Sequence, residues 1–162
     1  MKTIHTLEDV RGDNFKVIIK HWDKRIGLQY RHESRQAFLE TIWEMSLTAF
    51  DKPREVQVVI DAGDRLYISV GSPGFVSFGG QEAQLNGMKF PLKEWIHTHP
   101  FGEAYFSSRD MTTIGMYAKY LDTATVLGDG EIMTMHMFIG PHKEHYQEYS
   151  QWVWVNSSEE EE

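Results

Sequence analysis

Residues 92–110 read Leu92-Lys93-Glu94-Trp95-Ile96-His97-Thr98-His99-Pro100-Phe101-Gly102-Glu103-Ala104-Tyr105-Phe106-Ser107-Ser108-Arg109-Asp110. The first eight predict a strand, Leu92 to His99, whose side chains alternate between two faces. Pro100 cannot continue a central ladder, so the strand stops there. Ser107 can cap a helix running to about Leu121, with Met111, Ile114, Ala118 and Leu121 on one side. Strand, turn and helix in this order place a helix beside a sheet, and the rest of the chain extends that sheet in both directions.

Upstream, Phe15 to Lys20 and Ile26 to Arg31 are short apolar runs rich in β-branched residues, read as an N-terminal hairpin. Ser34 begins a helix ending near Phe50, with Phe38, Leu39, Ile42, Met45 and Ala49 as its buried stripe. Asp51-Lys52-Pro53 ends it. Glu55 to Asp61 and Arg65 to Val70 read as strands around the turn Ala62-Gly63-Asp64. Phe75 to Phe78 follows another turn, and Asn86-Gly87 marks a further one. Downstream, Ala124 to Leu127, Glu131 to Ile139 and Gln151 to Val155 are further strands. The expected fold class is α+β: a mixed α/β sheet flanked by two main helices, with the N-terminal hairpin. One domain is expected over residues 1–156, with 157–162 an acidic disordered tail.

Composition narrows the chemistry. The formal charge is −8, and four of those charges are Glu159 to Glu162, leaving −4 for residues 1–158. No basic cluster is present to neutralise phosphates, so no nucleic-acid partner is expected. No run approaches 18 apolar residues, and the N-terminus lacks a signal-length apolar segment; no membrane partner is expected, and the expected location is cytoplasmic. Cysteine is absent, which excludes thiol catalysis and thiolate-bound metal. Glycines 71–80 are not followed by Gly-Lys-Ser/Thr, so they read as turns rather than a phosphate loop.

His97 and His99 project from one strand face, with Trp95 beside them. Asp110, in the first turn of the next helix, can swing back as a third ligand. Two imidazoles and a carboxylate leave a tetrahedral position open, which is the pattern of catalytic rather than structural zinc. Such a site also needs a proton-transfer group beyond the ligands. Glu33, Glu40, Glu44 and Glu55 are the candidates; Glu55 is preferred because it opens a strand on the face of Gln57, away from Val56, Val58 and Ile60. Taken alone, Ser107-x-x-Asp110 is also a capping-box start, and the two readings are compatible. His136, His142 and His145 read as surface or structural groups, and Trp152 and Trp154 as edge-strand packing.

An upstream Glu, then His97-x-His99-Pro100, then Ser107-x-x-Asp110 resembles the motif of the JAMM (MPN-plus, JAB domain) zinc metalloproteases, over roughly residues 35–140. Pro53-Arg54-Glu55 resembles the family's entry to its glutamate strand, although Val56-Gln57-Val58-Val59-Ile60 replaces the small residues common there. The resemblance implies one zinc per chain on His97, His99 and Asp110, Glu55 as proton shuttle and Ser107 as oxyanion donor. It implies a peptidase or isopeptidase acting on a protein or peptide, with ubiquitin-like conjugates among the candidate substrates. The missing long insertions point to a prokaryotic or viral branch. RadC-like proteins carry the same spacing, which leaves a metal-bearing interaction module as the alternative. Metallo-β-lactamase-like enzymes fit poorly, since they need Asp at the position of Phe101.

Overall fold

Residues 13–32 form one helix, not a hairpin. In the computed structural model, which describes residues 2–4, 13–50, 52–71, 87–117, 119–137 and 145–151, α1 spans Asp13–His32. Ile19, Trp22 and Ile26 are buried along it, at the three- and four-residue steps of a helical stripe. Reading Val17-Ile18-Ile19 and Ile26 to Arg31 as strands counted β-branched residues and missed this longer period. The stripe packs into the same cluster as Phe38, Leu39 and Ile42 of α2 (Arg35–Thr48). Arg25 binds Glu44 of α2 at 3.3 Å and lies 4.3 Å from the Trp22 ring. Ser34 caps α2 as expected, its side chain accepting the Ala37 N–H.

The strands are β1 (Lys2–Ile4), β2 (Val56–Ile60), β3 (Leu66–Val70), β4 (Leu92–Thr98), β5 (Leu121–Gly128), β6 (Glu131–Met137) and β7 (His145–Gln151). The third helix, α3, is Ser108–Tyr117. The strands form a mixed sheet in the order β1-β3-β2-β4-β5-β6-β7. Its inner five strands, β3, β2, β4, β5 and β6, carry the sheet's share of the described core. β4 pairs antiparallel with β2 and parallel with β5; a parallel pair requires a crossover, and α3 provides it. The fold is α+β with three helices among the described residues. The expected strand Phe75 to Phe78, the tail 157–162 and most of the expected strand Gln151 to Val155 lie outside those residues.

The sheet buries both faces. Val56, Val58, Ile60, Ile68, Ile96 and Leu127 share one cluster with α1 and α2. Val59, Tyr67, Trp95, Ala124 and Met135 share another with Ile114 of α3. β2 is consequently buried throughout, and Gln57 lies on an internal face, not on the solvated one its polarity suggested. One buried charge ties the helical layer to the sheet. Glu94 accepts two hydrogen bonds from Arg35, at 3.0 and 2.7 Å, and a third from Thr125. No helix among the described residues is long and apolar enough to cross a membrane.

Candidate metal centre

The C-terminal end of β4 carries His97, and His99 lies just past it. Alternation puts both imidazoles on the α3 side of the sheet. The His99 N–H donates to the Leu127 carbonyl, which keeps the backbone in register with β5 past the strand's end. Asp110 is in the first turn of α3. Its Oδ2 lies 3.1 Å from His97 Nε2 and 3.6 Å from His99 Nε2. Among the described residues, these three form the group able to offer one ligand atom each within 4.8 Å of one another. Two bonds of zinc–nitrogen and zinc–oxygen length at a tetrahedral angle separate their donors by about 3.4 Å. The two measured separations bracket that value, so the donor set fits zinc. His97 and Asp110 are buried and His99 is half-buried.

Each ligand is oriented differently. Ser107 and Asp110 close a reciprocal capping box. The Asp110 N–H donates to Ser107 Oγ at 3.1 Å, and the Ser107 N–H donates to Asp110 Oδ2 at 2.9 Å. The helix cap therefore aims the carboxylate. His99 Nδ1 lies 3.1 Å from the Glu103 carbonyl, which places the ring proton on Nδ1 and leaves Nε2 for a metal. His97 lacks such an acceptor: its Nδ1 is buried with no hydrogen-bond partner among the described residues. The Trp95 indole holds the ring instead, stacked at 4.6 Å and 16°. Trp95 Nε1–H in turn donates to Gln57 Oε1 at 2.9 Å, and Gln57 Nε2 donates to Ser69 Oγ.

A cleft of about 580 Å³ opens over the ligands. Glu55, His99, Phe101, Tyr105, Ser107, Arg109 and Asp110 line it. Glu55 thus comes beside the histidines from 42 residues upstream. Burial pushes its carboxyl above the ordinary value; His97 and His99 oppose that rise and Asp110 adds to it. Burial would also raise Asp110, but the His97 contact at 3.1 Å, the nearby His99 ring and the Ser107 N–H outweigh it and hold Asp110 far below the carboxylate range. Burial would lower His99, yet its bonds to Asp110 and the Glu103 carbonyl raise it. The rival glutamates are elsewhere: Glu33 is exposed beyond α1, Glu40 accepts from Gln36 and Glu44 holds Arg25. His136 is half-buried on β6 and outside the ligand group, while His142 falls outside the described residues.

The backbone around Glu55 is clamped by residues the sequence reading passed over. Val56 N–H donates to Thr98 Oγ1 at 2.9 Å. Thr98 Oγ1 lies 2.8 Å from Ser46 Oγ, which donates to the Arg54 carbonyl. Arg54 N–H donates to the Ser46 carbonyl, and Gly71 N–H to that of Glu55. Thr98 lies between the two histidines but faces α2, so one strand residue fixes the glutamate while its neighbours hold the ligand positions. A signal was present: Ser46 is a polar residue beside the apolar stripe of α2, and alternation turns Thr98 towards that helix.

No family model, curated protein or solved structure matches this chain. What the centre does is therefore read from its own residues.

Proposed function

We propose that the protein is a zinc-dependent peptidase or isopeptidase of the JAMM type. The observation that carries this reading is the convergence of Glu55, His99, Ser107 and Asp110 on one cleft, with His97 joining the ligand group beneath it. His97, His99 and Asp110 would hold the zinc ion, which when bound would supply Lewis acidity and lower the pKa of water to about 7. Glu55 takes a proton from the attacking water and later delivers it to the leaving amine as the C–N bond breaks. Burial raises its pKa, the direction that strengthens it as a base. Ser107 donates its hydroxyl proton to the oxyanion that develops on the scissile carbonyl, while its Oγ still accepts the Asp110 N–H. With no cysteine in the chain and water as nucleophile, no acyl-enzyme forms.

A metal-bearing interaction module is the second reading. It is favoured by Phe101 and Tyr105 at the cleft mouth, which are 78% and 52% exposed; apolar surface of this kind suits a bound partner. One experiment separates the two. Zinc-loaded protein and its Glu55→Gln variant are incubated with lysate, and new termini are mapped by mass spectrometry. The peptidase reading expects termini from the wild type. Glu55→Gln should retain its zinc and cut about a hundred- to ten-thousandfold more slowly. A wild type that generates no termini would leave the interaction module in place, and a fully active Glu55→Gln would remove Glu55 from the mechanism.

A further inference from the structure

Arg109 lines the cleft, yet nothing in the reaction above uses it. Its guanidinium is exposed and makes no hydrogen bond or ion pair among the described residues. It sits in the first turn of α3, one residue before Asp110. A cation is disfavoured there, because the unpaired N–H groups already make a helix start positive. Neither neighbouring carboxylate hydrogen-bonds to it among the described residues. Asp110 Oδ2 takes the His97 contact and the Ser107 N–H, and Glu55 interacts with Arg109 as a charge without a hydrogen bond. Arg109 thus brings five donors in a rigid fork to the cleft lining, with no hydrogen bond from them among the described residues.

We infer that Arg109 receives a carboxylate of the substrate, so that the centre selects peptides with a carboxylate close to the scissile bond. This rests on the peptidase reading for the word substrate, although the binding it requires is measurable without turnover. A planar fork matches a carboxylate with two parallel hydrogen bonds. Two sources offer this chemistry: the α-carboxylate at a peptide C-terminus, and an Asp or Glu side chain.

Matched fluorescent peptides distinguish them. One pair differs only in a free or amidated C-terminus. A second pair, blocked at both ends, carries Asp and Glu or Asn and Gln. Dissociation constants are measured by anisotropy on the zinc-loaded Glu55→Gln protein, with and without Arg109→Gln, and zinc content is confirmed for each. Cleavage of the same peptides by wild type and Arg109→Gln gives the corresponding ratios of kcat/KM. In one of the two pairs the carboxylate member should bind about ten- to a hundredfold more tightly, and that pair identifies the source. Arg109→Gln should bring the ratio close to one, and Arg109→Lys should keep part of it. Equal affinities within both pairs would overturn the inference, and so would a preference that survives Arg109→Gln. If no peptide is cleaved while the binding ratio behaves as expected, the peptidase reading fails and the carboxylate site stands.

Discussion

Ser107 holds two jobs that a substitution can pull apart. It caps α3 through Oγ and, in the proposed reaction, donates to the oxyanion. Glycine is tolerated at an N-cap at a loss of about a few tenths of a kcal/mol, whereas alanine loses about 1 kcal/mol. Ser107→Gly should therefore leave the melting temperature and zinc content near wild type while hydrolysis falls about a hundred- to a thousandfold. Retained hydrolysis would reduce Ser107 to a cap. The grouping of the two imidazoles with the carboxylate was legible in the sequence because its geometry is local: alternation along β4 aligns His97 with His99, and a capping box places Asp110. Trp95 was recognised as a neighbour, but its stacking on His97 in place of a hydrogen bond was not, since the Gln57 contact that anchors the indole comes from a strand distant in sequence. Arg109 gave no signal, being one of sixteen Lys and Arg residues distinguished only by the cleft around it.

Helices and strands fix the distance between Glu55 and the ligands. Thr98 on β4 ties the start of β2 to Ser46 of α2. Thr98→Val keeps the shape and leaves the buried Val56 N–H without an acceptor, at about 1 to 3 kcal/mol. The expected result is unchanged zinc stoichiometry with a lower kcat, because Glu55 shifts while the ligands stay. Zinc loss with kcat per bound zinc preserved would contradict it. The loop after β4 is held by the turn between β5 and β6. Asp129 N–H donates to the Gly102 carbonyl and Ala104 N–H to Glu131 at 2.7 Å. A Cβ at Gly128 would strike the Ala104 nitrogen and come within 2.7 Å of the Glu103 carbonyl carbon. Gly128→Ala should thus destabilise by about 1 to 3 kcal/mol and loosen His99, whose Nδ1 relies on Glu103; chemical denaturation and a zinc titration would show both. Elements were legible where one period dominated, as in α2 and β4. α1 was misread because a β-branched run at 17–19 overlies the wider spacing of Ile19, Trp22 and Ile26, and only the α2 surface decides between them.

Across the whole molecule, the centre couples stability to pH. In protein stripped of metal, His99 and Glu55 both titrate above their ordinary values. The folded state binds those protons more tightly than the unfolded chain does. The stabilisation is full below the unfolded values, about 6.5 and 4.3, and is lost as pH rises through the folded ones. Asp110 runs the other way: its contribution is present above about 3.9 and lost as pH falls. Stripped protein should therefore be most stable in mildly acidic solution, its Tm should decline as pH rises through the folded values of Glu55 and His99, and the Glu55 part of that decline should be absent in Glu55→Gln. Zinc requires neutral imidazoles, so the Tm increase on adding zinc should grow over the same range. A zinc-induced shift equally large at about pH 4.5 and 8 would mean that the histidines are not ligands.

In the proposed centre, His97, His99 and Asp110 hold one zinc ion. Metal analysis after gel filtration at pH 7.5 tests it directly, on wild type and on the His97→Ala, His99→Ala and Asp110→Ala variants shown by circular dichroism to be folded. The predicted result is about one zinc per wild-type chain and little in any variant. Zinc retained in the folded His97→Ala, His99→Ala double variant, or none bound by wild type in excess zinc, would contradict it.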